Sequence, residues 1–276
     1  MKTTVIGAEG FIGRHIMNKL SQLQMEAYGP SRKEQNLFNN HLGHVIYCAG
    51  VTSDFRDRPF DTIKAHVSFL ADLLEKAKYE SFLYVSSTRL YINQPPGETA
   101  GEESEIFVNP FREEDLFNLS KLTGESICLT INKPNVRVSR VSNVCGPDFN
   151  SNNFLYSIIK DSIVEGKILL RTSLESEKDY ISINDVVDLL IQIAHNGVHR
   201  MYNVASGFNL TNKQWVDRIS SFTGCRVEVV DNPQTIKFLE IDNKRVRTEF
   251  NYKPQNPLDL LEELIRDYAN EKRRIL

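Results

Sequence analysis

The sequence predicts an α/β chain, a mostly parallel sheet with helices on both faces and a smaller C-terminal region after it. Three observations predict it. Short β-rich runs alternate with stretches of helical apolar spacing through the first two thirds of the 276 residues, the order that builds parallel sheets through crossover helices. Some of those runs are apolar without alternation, as in strands buried on both faces. The first run ends in a turn with glycines three residues apart that opens a helix.

The elements follow in chain order. "KTTVI" (2–6) is a short strand. From Gly10 to about Leu23, the residues Phe11, Ile12, Ile16, Leu20 and Leu23 recur at helical spacing. "EAYG" (26–29) is a second strand, and "HVIYCAG" (44–50) is a continuous apolar run. Residues 60–78 read as a helix, "SFLYVSS" (81–87) as a strand, 113–131 as a helix and "VRVSRVS" (136–142) as a strand. Between 33 and 43 there is no room for a further helix, strand and helix. The sheet is therefore expected to be one strand shorter than a full set of this type. After "CGPDFNSNN" (145–153) the texture changes: helices over 154–165, 184–195 and 211–222 mix with the short strands "MYNVA" (201–205) and "RVEVV" (226–230). The last helix starts with Asn256 as cap and Pro257 at its first position. Leu258, Leu261, Leu264, Ile265 and Tyr268 give it one apolar face. The domain boundary is placed near Gly146-Pro147, giving a first domain over 1–147, to which 181–204 return, and a second region over 148–276.

Composition excludes several partners. The 33 basic residues are outweighed by 36 acidic ones, for a net charge of −3, so no basic surplus points to nucleic acid and no polybasic run to an anionic membrane. No apolar run approaches the roughly 18 residues of a spanning helix. The N-terminus enters a strand-like run without the pattern of a signal peptide. Cys48, Cys128, Cys145 and Cys225 are scattered without CxxC spacing, and the six His make no HxxxH or HExxH pattern. A cytoplasmic chain with reduced thiols and no metal is expected.

In "VIGAEGFIG", Gly7 permits a tight turn, Gly10 lets backbone approach a pyrophosphate, and Gly13 lets helix and strand pack closely. The free amides at the helix start, around Phe11 and Ile12, face the phosphates. A bound dinucleotide on a Rossmann-type sheet is expected. An acidic residue at the end of the second strand would hold the ribose of NAD. This chain has "YGPSRK" there instead. Ser31, Arg32 and Lys33 suit a 2′-phosphate through charge-assisted bonds, which favours NADP, with NAD the alternative.

The sequence resembles the extended short-chain dehydrogenase/reductases, in particular the NAD(P)-dependent nucleotide-sugar epimerases, dehydratases and reductases. Seven pieces carry the resemblance, in order along nearly the whole chain: "GAEGFIG", "YCAG", "VSSTRLY", "SKLTGE", "RVSNVCGP", "KDYISINDVVDLL" and "MYNVASG". It implies that Ala49 and Gly50 pass under the adenosine side of the cofactor. It also implies a C-terminal region that binds a nucleotide-diphosphate sugar, and a homodimer paired through the helices over 60–78 and 113–131.

Family chemistry moves a hydride between a sugar carbon and the nicotinamide, while a Tyr exchanges the proton of the sugar oxygen. The resemblance sets Ser87, with Thr88 next in line, at the hydroxyl that hydrogen-bonds this oxygen. Lys121 stands at the Lys that acidifies the Tyr and holds the nicotinamide ribose. At the Tyr itself this chain has Phe117. Two other Tyr-x-x-x-Lys spacings, Tyr156–Lys160 and Tyr268–Lys272, lack the Gly-Glu pair and following strand of that segment. A benzene ring exchanges no proton, so the pair Phe117/Lys121 reads as a cofactor site kept and a proton relay altered. His66 stands where the family usually has Asn. Its expected role is packing on its helix, with substitute proton carrier as the alternative.

On the substrate side the resemblance sets Asn143 at a diphosphate contact and Lys178 where an Arg is usual. Arg245 lies in a segment that often supplies another phosphate contact, with Arg247 close by. Thr88 and Arg89 replace the Asp-Glu pair of the 4,6-dehydratases, so the acid and base of water elimination are missing. The implied function is an NADP-dependent oxidoreductase on a nucleotide-diphosphate sugar, first a 4-keto-sugar reductase. A 4-epimerase and a dinucleotide-binding sensor or partner protein without turnover are the alternatives.

Overall fold

The computed structural model of the chain describes residues 1–31, 34, 37–97, 99–149, 151 and 153–275, the last four of these by backbone alone. Arg32 and Lys33 lie outside the described residues. The first half contains β1 (Lys2–Ile6), α1 (Phe11–Gln22), β2 (Glu26–Tyr28) and β3 (His44–Tyr47). A helical rod follows, made of α2 (Pro59–Ile63), a π-helical turn (Lys64–Ser68) and α3 (Phe69–Lys76). Then come β4 (Ser81–Ser87), α4 (Asp115–Thr130) and β5 (Val136–Val141). The second half contains β6 (Asn143–Cys145), α5 (Phe154–Val164), β7 (Lys167–Thr172), β8 (Glu177–Ser182), α6 (Ile183–Asn196), β9 (Met201–Val204) and β10 (Asn209–Thr211). It closes with α7 (Asn212–Thr223), β11 (Arg226–Gln234), α8 (Lys244–Phe250) and α9 (Leu261–Ile275).

The main sheet has the order β2-β1-β3-β4-β5-β9, and every neighbouring pair in it is parallel. Among the described residues no strand lies outside β2, and Leu37–Asn39 form a single 3-10 turn, so the edge is shortened where the sequence left no room. The chain order reverses on either side of β1. Ligands bind in the crevice beyond the carboxyl ends of strands at such a switch point.

Two apolar layers hold the sheet, and successive residues of one strand feed opposite layers. On β3 and β4, Ile46, Leu83 and Val85 join Val5, Ile16 and Leu20 under α1 and α6. Val45, Tyr47, Phe82 and Tyr84 join Leu70, Leu73 and Cys128 under α3 and α4. This is why the runs read as continuously apolar: both faces are covered.

The remaining strands form two small sheets, β10-β8-β6 and β11-β7. They pack around Trp215, Leu155, Tyr180 and Leu261. Local chemistry sets their helices. α7 starts in a capping box between Thr211 and Gln214 and stops at Gly224 in the left-handed region, φ 69°. The buried Asp179 joins the two parts of the molecule. Its carboxylate accepts from the amides of Ser206 (3.1 Å), Gly207 (2.7 Å) and Phe208 (3.2 Å) and from the Ser206 hydroxyl (2.8 Å). Among the described residues no helix is long and apolar enough to cross a membrane.

Candidate active site

The glycine turn has the geometry its spacing requires. Gly7 has φ +88°, and a Cβ there would meet the Ala49 backbone nitrogen at 2.8 Å, so β1 and the end of β3 approach as only glycine permits. A Cβ on Gly13 would run into the Gly7 carbonyl oxygen. Gly10 differs: a side chain there would meet only the Gly7 oxygen, at 3.2 Å, and would otherwise project into open space. Gly10 is also the N-cap of α1, makes no side-chain cap and is followed by no acid in the first turn. The Phe11 and Ile12 amides are therefore left for an outside acceptor. This cradle fits a dinucleotide pyrophosphate. Ser31, three residues after the end of β2, is exposed.

Gly50 brings the second part of the site together. A Cβ on it would stand 2.9 Å from His66 Nε2 and 3.6 Å from Lys121 Nζ. Lys121 is buried on α4, and its ammonium donates to the Val85 carbonyl at 2.9 Å, two residues before Ser87 at the tip of β4. It sits 4.9 Å from the Tyr84 ring centroid and 6.0 Å from that of Phe117. Burial pushes its pKa down to about 8. The nearest carboxylate, Glu125, is committed to Arg140 at 2.7 Å, so the ammonium keeps N–H groups for a ligand.

Ser87 ends β4 and accepts the Arg89 amide at 3.2 Å, which caps the 3-10 turn Thr88–Asn93. Its own proton is free to be donated. Thr88 is buried behind it. One turn of α4 before Lys121, Phe117 is 6% exposed and packs with Val51, Phe55 and Leu116. Its ring centroid is 5.6 Å from that of Phe55.

His66 is not a free acid or base. Its Nε2 accepts the Val51 amide at 3.2 Å, so the ring proton is on Nδ1 and is donated to Ser120 Oγ at 2.8 Å. Ser120 in turn donates to the Phe117 carbonyl at 2.8 Å. Burial first, and the Lys121 charge second, push the His66 pKa down to about 2. The neighbouring phenols are occupied as well. Tyr84 donates to the His66 carbonyl (3.4 Å). Tyr91 lies between Arg140 (2.8 Å) and Asn203 (2.8 Å). Tyr156 sits in α5 and accepts the Gly146 amide (3.0 Å). Tyr268 packs on Phe149 in the C-terminal core.

On the small sheet Asn143 of β6 lies opposite Tyr180 of β8, and Lys178 stands two residues earlier on β8. Asn143 donates to the Asp179 carbonyl at 2.8 Å, leaving its amide oxygen for a ligand. Lys178 stands over the rings of Phe154 (5.4 Å) and Tyr180 (5.3 Å), and burial followed by repulsion from Arg89 lowers its pKa to about 8.

Arg245 is held by partners of its own. It donates to the Met201 carbonyl (3.1 Å) and to Glu103 (2.5 Å) and lies 3.6 Å from Glu102. Met201 begins β9, at the opposite end of the sheet from the cradle, so Arg245 is a partly exposed tie there, and Arg247 is exposed on the same helix. Arg89 entered the sequence reading only as one of the two residues replacing the dehydratase Asp-Glu pair, with no role of its own. Its only signal was a basic residue two places after Ser87.

A model of a family described as "NAD dependent epimerase/dehydratase family" matches residues 3–205. A GDP-6-deoxy-D-mannose reductase of Pseudomonas aeruginosa is 26% identical over 272 aligned positions, covering 88% of this chain and 86% of the relative. Among solved structures, RMD from Pseudomonas aeruginosa complexed with NADPH superposes with a TM-score of 0.80 at 19% identity, over 97% of this chain and 99% of that one. A UDP-glucose 4-epimerase of Thermotoga maritima with UDP-glucose superposes at 0.80 and 17% identity, over 99% of both chains. A dTDP-glucose 4,6-dehydratase of Bacillus anthracis in complex with NAD gives 0.77 and 18%, over 99% and 98%.

Proposed function

The chain belongs to the NAD dependent epimerase/dehydratase family, and from that premise we propose that it is an NADP-dependent oxidoreductase acting on a nucleotide-diphosphate sugar, specifically a 4-keto-sugar reductase with an altered proton relay. The observation that carries this reading is the Lys121 ammonium, buried, anchored to Val85 O and without a carboxylate partner of its own among the described residues. A buried lysine of this kind is costly unless a ligand uses it. The curated GDP-6-deoxy-D-mannose reductase supports the reductase choice, and the NADPH of the RMD complex supports the cofactor, as do Ser31, Arg32 and Lys33 in the sequence. NAD remains the alternative.

When bound, the dinucleotide supplies the hydride. The chain's own groups do the rest. The cradle of Gly7, Gly10, Phe11, Ile12 and Gly13, with Ala49 and Gly50, holds the dinucleotide, and Lys121 holds the nicotinamide ribose. Ser87 donates to the sugar oxygen, and Phe117, Phe55 and Val51 form an apolar wall. Asn143 and Lys178 take the diphosphate, in a substrate region formed by 148–276 without 181–204. No phenol delivers the proton, so it reaches the sugar oxygen from solvent by way of a water bound to Ser87. Two copies pair through the rod of α2 and α3, where Phe60 is 79% exposed, and through α4.

One observation favours a second reading, a dinucleotide-binding protein without turnover. Among the described residues around Phe117, every phenol and the one imidazole are committed elsewhere. The deciding experiment is mass spectrometry of ligands released from purified protein, followed by single-turnover hydride transfer from NADPH to 4-keto nucleotide sugars. Released dinucleotide with transfer supports the reductase. Bound dinucleotide with no transfer to any keto sugar leaves the binding protein. No dinucleotide binding at all overturns both.

A further inference from the structure

Arg89 is a half-buried cation that makes no ion pair among the described residues. Its Nε is buried and has no hydrogen-bond partner among the described residues. The guanidinium carbon lies 5.9 Å from the Phe55 ring centroid, and that ring packs on Phe117. Arg56 stacks on Phe55 too, at 4.7 Å. Two carboxylates face the group, and both are engaged. Glu114 is bonded to Arg56 at 3.3 Å. Asp115 accepts from Asn93 (3.2 Å), from the Asn109 amide (2.8 Å) and from Asn118 (2.6 Å). Lys178 adds a further positive charge that repels Arg89, and no ion pair of Lys178 with a carboxylate is found among the described residues. A buried guanidinium donor without an acceptor carries the full cost of its desolvation. A bound anion removes that cost.

The placement of the two cations distinguishes what each one meets. Arg89 is fixed by its own amide to Ser87 Oγ at 3.2 Å, so it belongs to the end of the site where the sugar reacts. Lys178 belongs to the small sheet that carries Asn143, at the diphosphate end. A planar guanidinium also matches a carboxylate in a two-point contact, which an ammonium does not. We infer that Arg89 is a substrate-binding residue that selects a sugar bearing a carboxylate, while Lys178 and Asn143 take the diphosphate. This rests on the nucleotide-sugar reading above.

The test is calorimetric binding of matched probes to the full chain with NADPH present: UDP, UDP-glucose and UDP-glucuronate, and GDP, GDP-mannose and GDP-mannuronate. In one series the wild type binds the hexuronate roughly tenfold or more tighter than the neutral sugar, the scale of a charged hydrogen bond. Arg89→Ala removes that preference, Arg89→Lys keeps part of it, and binding of the free nucleoside diphosphate does not change. Should Arg89→Ala melt well below the wild type without ligand, Arg89→Gln takes its place in the comparison. An equal loss for the diphosphate and both sugars assigns Arg89 to the phosphates and overturns the inference, as does a variant that binds every probe like the wild type. A wild type that binds the diphosphates but prefers neutral sugars overturns the inference alone. A wild type that binds none of the six probes overturns the nucleotide-sugar reading and takes the inference with it.

Discussion

Phe117 stands edge to face against His66, with ring centroids 5.4 Å apart and planes at 87°, and each helps fix the other. The imidazole donates to Ser120, and Ser120 donates to the Phe117 carbonyl. Phe117 is thus an ordered apolar contact, and the histidine beside it is spent on holding the backbone.

Phe117→Tyr is expected to raise turnover on a 4-keto nucleotide sugar by roughly 10-fold or more, toward the 10²–10⁴-fold that general acids supply. The new phenol lies beside Lys121, which favours its ionised form. Single-turnover rates for both proteins check this. A flat or lower rate, with Ser87→Ala still damaging, shows that a Ser87-bound water suffices. The pH–rate profile of the wild type should carry no inflection from His66, whose protonation lies near pH 2.

Arg32→Ala is expected to weaken NADPH binding by about 1.5–3 kcal/mol, the range for a charged hydrogen bond, and to leave NADH binding nearly unchanged. Fluorescence titration of the two dinucleotides measures both. Equal loss for both, or a wild type that prefers NADH, means that "GPSRK" does not hold a 2′-phosphate.

Free nucleoside diphosphate should raise the melting temperature, because a ligand of the native state stabilises it by mass action. Asn143→Ala and Lys178→Met should blunt the rise. Arg245→Ala should lower the baseline melting temperature and leave the ligand-dependent rise intact, since Arg245 ties α8 to Glu102 and Glu103. The Lys178 ammonium loses its proton near pH 8. An anionic ligand prefers the charged form, so its affinity falls as pH rises through 8, and Lys178→Met should abolish that fall.

Lys121 gives a stability signature with a definite sign. Its folded pKa, about 8, lies below the ordinary 10.5. Between these values the unfolded chain holds a proton that the folded chain has released, so this group makes stability rise with pH across that window. Lys121→Met should be the more stable protein at pH 7 and lose its advantage by about pH 10.5, while NADPH binding is weakened throughout. Urea unfolding of both proteins at several pH values reads the difference. A constant gap would mean that Lys121 is not held at a depressed pKa.

The buried pair of Arg140 and Glu125 meets at 2.7 Å with side chains 5% and 3% exposed. Glu125→Ala leaves a buried guanidinium unpaired and should cost about 3–5 kcal/mol, read as a drop in the urea midpoint. A change below about 1 kcal/mol would falsify the reading of this pair as fully desolvated, because exposed pairs fall in that range.

What the sequence determined by itself was local. Apolar spacing placed the strands β1 to β5 and their helices, the glycine spacing placed the cradle, and counting along "LFNLSKLTGE" placed Phe117 one turn before Lys121. These features depend on neighbours within a few residues, through helical period, strand alternation and turn conformation. The short strands β6, β7, β8 and β10 were not legible, because they pair with strands far along the chain. The tertiary structure decided the use of each polar group. His66 became a core histidine because Val51 and Ser120, 15 and 54 residues away, take its two nitrogens. Arg245 became a tie near the surface because Glu103, 142 residues away, meets it. Arg89 stood out because its buried Nε meets no acceptor among the described residues. A side chain's charge can be read from its letter, but whether that charge is satisfied depends on which distant groups the fold brings within about 3 Å.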